Sequence, residues 1–189
     1  REPLSGKNRA DIVIVTKCPK ELNPIDYRVL SKTMSLYPFQ ELFFTTLEYC
    51  DLVPVFEDVA DEKEIALTDI HNKNILLLTG IALPKQLELD LSQYADTSRV
   101  QSLTFPDHSF RPKDVMLINE AFALMEYPKI IITTEKDRAR LLNLEGLNEE
   151  VRKNIYALPI QVKFMLEMEE KFNEKILSYV RKNSKNSIL

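Results

Sequence analysis

The chain has 189 residues, which suits one well-packed domain and is short for two, and 44% of them are hydrophobic, which excludes disorder over most of its length. A net charge of −4 argues against a nucleic-acid binder, because such proteins usually carry a basic face. Two cysteines are too few for a disulfide framework or a four-cysteine zinc site, which is typical of the reducing cytoplasm. No apolar run approaches the ~20 residues that cross a bilayer. We therefore expect a cytoplasmic chain with at most peripheral membrane contact.

Apolar, β-branched runs alternate with helical patterns along the chain, which is typical of a mostly parallel sheet with helices on its faces. We predict about six strands, with a further edge strand around 52–56. The six are predicted at 12–15, 42–46, 75–78, 99–105, 129–133 and 154–159. The last of them could extend through Phe164.

Helices are predicted between and after these strands. The first begins at Asn23-Pro24, an N-cap residue followed by proline at the first helical position, and runs to about Met34. The second follows Thr79-Gly80 and ends near Tyr94, and the third lies within 112–128, where prolines mark both ends. A closing helix carries its apolar side chains on one stripe, and they are Met165, Met168, Phe172, Ile176 and Tyr179.

These elements predict a three-layer α/β/α fold with a mostly parallel, Rossmann-like sheet of about six strands and a C-terminal helix. We assign residues 1–164 to this single α/β domain. Residues 165–189 form the closing helix and its polar tail, which we expect to fray.

Polar turns follow three of the predicted strands, at Thr79-Gly80, Asp107-His108 and Thr134-Glu135-Lys136-Asp137. Ligands of open α/β sheets bind outside the carboxyl ends of the strands. If the strands are parallel, the three turns meet at one edge of the sheet, and that edge is the candidate binding site.

His108 is the more informative of the two histidines, because the other, His71, lies in a polar loop. Asp107 could orient the His108 ring and leave its other nitrogen to meet a ligand. In the alternative interpretation Asp107 only caps backbone N–H groups and His108 is solvated.

The segment Thr134 to Asp137 fits a capping box, in which Asp137 serves only the helix N-terminus. Lys136 differs, because a lysine beside a helix N-terminus can hold a phosphate as a point charge. Both interpretations remain open from spacing alone.

Cys18 has no base beside it in the sequence and is interpreted as a packing residue.

A phosphate-binding loop is not found in the sequence. Gly6, Gly80 and Gly146 are isolated, whereas nucleotide-binding loops use several glycines to bring backbone N–H groups against phosphate. Ser5-Gly6-Lys7 matches the end of such a loop, but Asn8 replaces the required hydroxyl residue. Any phosphate cradle is therefore expected outside this chain.

Five stretches in order along nearly the whole chain resemble the distal part of the tetraacyldisaccharide 4′-kinase family, the lipid A 4′-kinases of Gram-negative bacteria. They are Arg1-Glu2-Pro3-Leu4 with Arg9-Ala10-Asp11, Val15-Thr16-Lys17-Cys18-Pro19, Leu78-Thr79-Gly80-Ile81-Ala82-Leu83-Pro84, Phe105-Pro106-Asp107-His108 and Thr134-Glu135-Lys136-Asp137. Each stretch alone is weak, whereas five in order are specific.

The resemblance implies a kinase that transfers the γ-phosphate of ATP to the 4′-hydroxyl of tetraacyldisaccharide 1-phosphate, giving lipid IVA. It implies Mg²⁺ as a cofactor and peripheral contact with the cytoplasmic side of the inner membrane through the full-length enzyme. The phosphate-binding loop, the metal-binding aspartates and the general base belong to an upstream half. We therefore expect no catalytic residue in this chain, which would be a distal fragment that is inactive alone.

The resemblance also implies roles for particular residues. It places His108 near the ATP, and it matches Asp107, Thr134, Glu135 and Lys136 to positions of the nucleotide-binding side. It further implies that the closing helix packs on the upstream domain. The alternative is a stand-alone α/β ligand-binding or interaction module without phosphotransfer activity, which the missing phosphate-binding loop supports.

Overall fold

The computed structural model describes residues 3–80, 84–105 and 110–186. The chain divides into two compact units. The terminal unit combines Arg1–Glu48 with Gln161–Leu189, and the central unit is Tyr49–Ile160. The division therefore lies elsewhere than the predicted boundary between 1–164 and 165–189. The reason is that the chain leaves the terminal unit at the end of its second strand and returns to it more than a hundred residues later.

The elements of secondary structure alternate as predicted, with shifted ends. The strands are β1 (Ile12–Val15), β2 (Glu41–Tyr49), β3 (Val53–Pro54), β4 (Asn74–Thr79), β5 (Val100–Thr104), β6 (Lys129–Thr134), β7 (Ile155–Leu158) and β8 (Ile160–Phe164). The α-helices are α1 (Pro24–Met34), α2 (Pro84–Leu91), α3 (Pro112–Ala123), α4 (Glu135–Leu141), α5 (Glu149–Asn154) and α6 (Glu169–Asn186). Short 3₁₀ turns lie at Leu4–Arg9, Leu67–Ile70 and Thr97–Arg99.

The strands form two sheets, so the prediction of one sheet of about six strands is wrong. One sheet has three strands in the order β1-β2-β8, and the other has five in the order β3-β7-β6-β4-β5. The predicted final strand at 154–164 divides at Pro159 into β7 and β8, which belong to different sheets. Proline has no N–H for a strand ladder, so the chain changes sheet there.

The five-stranded sheet is mixed. Strands β5, β4, β6 and β7 are mutually parallel, and β3 pairs antiparallel with β7 at the edge. The predicted edge strand around 52–56 is thus confirmed in a shorter form. The fold class is α/β, with a parallel core of four strands in the central unit.

The core of the central unit lies on both faces of this sheet. Alternate side chains of a strand point to opposite faces, so Ile75 and Leu77 join one hydrophobic cluster and Leu76 and Leu78 join the other. Leu87 and Leu91 of α2 pack in the first cluster. The second cluster takes side chains from α3, α4 and α5. Helices therefore cover the two faces, with α2 on one and α3, α4 and α5 on the other.

In the terminal unit the structure confirms the predicted start and end of α1. Asn23 caps α1, and its side-chain oxygen accepts bonds of 3.0 and 2.9 Å from the backbone N–H groups of Ile25 and Asp26. The helix then ends at Met34, as predicted. Strand β1 pairs in parallel with β2.

Helix α6 begins later than its apolar stripe predicted. Met165 and Met168 precede the helix, which starts at Glu169. Phe172 packs within the terminal unit, where its ring centroid lies 5.3 Å from that of Phe43 and 4.7 Å from that of Phe164. Part of the stripe therefore has a partner inside this chain. In the described part of the chain no helix is long and apolar enough to span a membrane.

Candidate functional site

The carboxyl ends of the parallel strands meet at one edge of the five-stranded sheet, which we call the rim. In the paired register Leu78 lies opposite Thr133, and Thr79 lies opposite Thr104. The carboxyl ends of β4, β5 and β6 are therefore neighbours, with β4 in the middle. Two of the three predicted turns, Thr79-Gly80 and Thr134 to Asp137, lie together at this edge, and Asp107-His108 falls outside the described residues.

The chain leaves β4 and β6 toward opposite faces of the sheet. Helix α2 follows β4, and its Leu87 and Leu91 pack on one face. Helix α4 follows β6, and its Leu141 packs on the other. A crevice opens between two adjacent strands whose connections diverge in this way, and ligands of α/β sheets bind at such a switch point. The switch point of this chain lies between Gly80 and the first turn of α4.

Asp137 bridges this switch point. Its side chain is 0% exposed. Its Oδ2 accepts hydrogen bonds of 2.9 Å from the Gly80 amide and 2.9 Å from the Thr134 hydroxyl, and its Oδ1 accepts one of 2.7 Å from the Arg140 guanidinium. Both carboxylate oxygens are thus engaged by protein donors, which is what a buried carboxylate requires. Asp137 is therefore part of the frame of the site and not a free base.

Thr134 is the N-cap of α4, as the capping-box pattern predicted. Its hydroxyl oxygen accepts a bond of 3.2 Å from the backbone N–H of Asp137 while donating to the carboxylate of the same residue. This arrangement satisfies one of the free N–H groups at the start of a helix. Thr134 is therefore held in place by the helix it caps.

Glu135 and Lys136 are the exposed side chains of this turn. A Glu135 carboxylate oxygen accepts a bond of 3.4 Å from the backbone N–H of Ile160. Of the basic side chains on α4, Arg138 pairs with Glu57 at 2.8 Å and Arg140 pairs with Asp137 at 2.7 Å. Among the described residues Lys136 is left as the cation of this helix without an acidic partner. It is available to an anionic ligand.

Asp107 and His108 lie outside the described residues. The nearest described residues along the chain are Phe105 and Phe110. Phe105 is 6% exposed, its backbone N–H donates to the Thr79 carbonyl at 2.9 Å, and its ring centroid lies 5.4 Å from that of Phe110. Phe105 therefore lies against the end of β4, and Phe110 contacts Phe105.

The remaining candidates behave as the sequence indicated. Cys18 is buried, with its thiol 3.5 Å from the Val15 carbonyl, in agreement with a packing role. His71 is exposed. Within 3–80, 84–105 and 110–186, no group of three or more His, Cys, Asp or Glu side chains could hold a metal ion.

Sequence reasoning did not find the contact between Asp137 and Gly80. The capping-box pattern predicts only the bonds inside one helical turn. No sequence signal links two turns that lie 57 positions apart.

The family model described as tetraacyldisaccharide-1-P 4′-kinase matches residues 1–181. The chain belongs to the tetraacyldisaccharide 4′-kinase family. This confirms the resemblance that the five stretches carried. The tetraacyldisaccharide 4′-kinase of Phocaeicola vulgatus is 50% identical over 190 residues, which cover 99% of this chain and 50% of that protein. The enzyme of that name from Bacteroides thetaiotaomicron is 43% identical over 194 residues, which cover 99% of this chain and 50% of that protein.

The chain thus spans about half the length of the curated tetraacyldisaccharide 4′-kinases it matches. Among solved structures, the "apo" form of LpxK from Aquifex aeolicus in complex with ATP aligns with a TM-score of 0.55. The alignment covers 94% of this chain and 45% of that one at 22% identity, which shows a shared fold.

Proposed function

We propose that this chain is the distal half of an ATP-dependent lipid A 4′-kinase. The complete enzyme would transfer the γ-phosphate of ATP to the 4′-hydroxyl of tetraacyldisaccharide 1-phosphate and give lipid IVA. The observation that carries this proposal is the family match over residues 1–181, together with curated 4′-kinases up to 50% identical over the same span.

The rim would be the nucleotide-facing side of this half. Lys136 is exposed and without an acidic partner in the described part of the chain, and would neutralise charge on a phosphate. Thr134, Glu135, Asp107 and His108 would complete the contacts. The support is that the first two follow β6 and the last two follow β5 along the chain, and that β5 and β6 pair with the two sides of β4.

The other half of the enzyme would hold the phosphates and Mg²⁺. Among the described residues no cluster of metal ligands occurs, and Asp137 has both oxygens engaged, so the described part of this half offers no set of ligands for a metal ion. Phosphoryl transfer depends mainly on positioning and charge neutralisation. The contribution of this half would be to close over the nucleotide and exclude water, and it would be inactive alone.

Helix α6 would contact the other half of the enzyme through its exposed apolar side chains. Phe172 is already packed within the terminal unit. Ile176, Leu177 and Tyr179 are 40%, 50% and 64% exposed, which is unusual for three neighbouring apolar side chains on one helix. The whole enzyme would act as a peripheral protein at the cytoplasmic side of the inner membrane.

A half-replacement experiment tests the proposal. In the Phocaeicola vulgatus enzyme, the half that matches this chain is replaced by this chain, and transfer of radiolabel from [γ-³²P]ATP to tetraacyldisaccharide 1-phosphate is measured. We expect the hybrid to be within roughly ten-fold of the parent enzyme, since the two halves share their family's contacts. Neither half alone should transfer phosphate.

A second hybrid serves as the control. It carries the matching half of the Bacteroides thetaiotaomicron enzyme in the same place. If that hybrid is active while a folded hybrid with this chain is inert, the kinase proposal is wrong. The alternative of a stand-alone binding or interaction module would then be the better one.

A further inference from the structure

A single buried carboxylate joins the two walls of the switch point. Gly80 is the first residue after β4, and Asp137 lies in the first turn of α4 after β6. The bond between the Gly80 amide and Asp137 Oδ2 is 2.9 Å long and is buried. Because the chain diverges from β4 and β6 toward opposite faces, this bond spans the opening of the crevice.

The geometry exceeds what a helix cap needs. A cap at this helix is complete once the Thr134 hydroxyl accepts the Asp137 N–H. The bond to Gly80 adds nothing to the helix, since Gly80 follows β4 and lies outside α4. The bond from Arg140, at 2.7 Å, engages the second oxygen, whereas Gly80 and Thr134 both bind the first. The side chain is held from three directions, and its orientation is set by the protein.

We propose that Asp137 is a positioning residue for the nucleotide. Its carboxylate ties the turn after β4 to the first turn of α4, and so sets the spacing of the two walls that would receive ATP and the place of its neighbour Lys136. The inference rests on the proposed function. Asp137 itself does not touch the ligand, because both of its oxygens are engaged by protein donors.

The test compares three variants in the active hybrid enzyme described above. Asp137→Ala removes every bond of the carboxylate, Asp137→Asn keeps its shape and one acceptor oxygen, and Arg140→Ala removes the partner of Oδ1 and leaves the bond to Gly80. KM for ATP and kcat are measured, with active enzyme counted by single-turnover bursts. We expect Asp137→Ala to raise KM for ATP about ten-fold or more while kcat per active enzyme changes less.

The controls separate positioning from mere stability. We expect Asp137→Asn to recover part of the loss in KM and Arg140→Ala to stay within about two-fold of the parent. A purely structural role would lower the amount of active enzyme and leave KM for ATP unchanged in all three variants. That result, or an equal rise in KM for Arg140→Ala, would overturn the inference.

A second measurement addresses the bond itself in the isolated chain. Amide hydrogen exchange of Gly80 is followed by NMR, and we expect it to be at least about ten-fold faster in Asp137→Ala than in Arg140→Ala at equal global stability. Unchanged exchange would show that the bond does not hold this turn.

If the unsubstituted hybrid transfers phosphate but the variants keep their KM, only the positioning role fails. If the unsubstituted hybrid is inert, the proposed function fails first and the positioning role with it.

Discussion

The Gly80 amide donates a 2.9 Å hydrogen bond to the carboxylate of Asp137, across 57 positions of sequence. Two of the five stretches that identify the family thereby meet at one point of the fold. The register of β4 and β6 brings them within reach, since Leu78 lies opposite Thr133. The rim is therefore a product of parallel strand pairing, with Asp137 as the link between its two sides.

The N-cap of α4 should contribute measurably to the free energy of unfolding. Thr134→Ala removes the oxygen that accepts the Asp137 N–H and the donor to its carboxylate. We expect the free energy of unfolding to fall by about 1–2 kcal/mol, the range of N-cap losses. Urea denaturation followed by circular dichroism gives the value. Thr134→Ser keeps the hydroxyl and should recover most of the loss, and equal losses in both variants would contradict the cap.

Lys136 should affect ATP use without affecting the fold. In the active hybrid enzyme we expect Lys136→Ala to raise KM for ATP about three- to ten-fold, because an exposed cation is lost from the rim that we propose faces the nucleotide. Steady-state kinetics at varied ATP gives the value. The matched control is Lys73→Ala, at the opposite end of β4, which should leave KM unchanged. Equal effects of the two substitutions would exclude a specific role for Lys136.

His108 is predicted to contribute to ATP use. We expect His108→Ala in the active hybrid to lower kcat/KM for ATP by about ten-fold or more while the melting temperature stays within a few degrees. The neighbouring Ser109→Ala should change neither quantity. Unchanged kcat and KM for ATP in His108→Ala would remove this residue from the site.

The Glu150 carboxylate gives the central unit a pH-dependent stability. The Tyr127 hydroxyl, and then the Lys129 amine, hold the pKa of Glu150 below its ordinary value of 4.5. Lys129 has a side chain that is 3% exposed and lies 2.9 Å from Glu150. A carboxyl whose pKa is lowered by folding stabilises the fold above its unfolded pKa, and that contribution is lost as the pH falls through the folded value.

The substitution Glu150→Gln tests this linkage. At pH 7 we expect the free energy of unfolding to fall by about 1 kcal/mol, because the Glu150 side chain is partly exposed and screened by solvent. The difference from the parent should shrink as the pH falls below about 4.5. Urea denaturation at a series of pH values measures it, with the exposed Glu145→Gln as the control. A difference that is constant from pH 7 to pH 3 would rule out the linkage.

Phe172 should anchor α6 to the terminal unit. Its ring packs on Phe43, which is 0% exposed, and on Phe164. We expect Phe172→Ala to lower the free energy of unfolding by about 2–4 kcal/mol, somewhat less than for a fully buried aromatic side chain, because Phe172 is partly exposed. Leu177→Ala, on the exposed side of the same helix, should stay within about 0.5 kcal/mol. A loss below 0.5 kcal/mol for Phe172→Ala would show that α6 is not docked on this sheet.

The sequence was sufficient for features whose causes are local. The N-cap at Asn23 and the end of α1 at Met34 depend on residues within one or two helical turns. The cap at Thr134 depends on a residue three positions away. The order of the polar turns along the chain was likewise readable, and with it the family. All of these follow from side chains that interact with backbone groups a few positions away.

Only the tertiary structure decided how these pieces combine. The return of the chain to the terminal unit pairs Lys175 with Glu41 over 134 positions, and no local pattern predicts it. Pro159 was readable as a break in a strand, but the assignment of β7 and β8 to different sheets required the paired register. The bond between Gly80 and Asp137 arises in the same way. Local preferences specify elements, whereas long-range burial and strand pairing select which elements become neighbours.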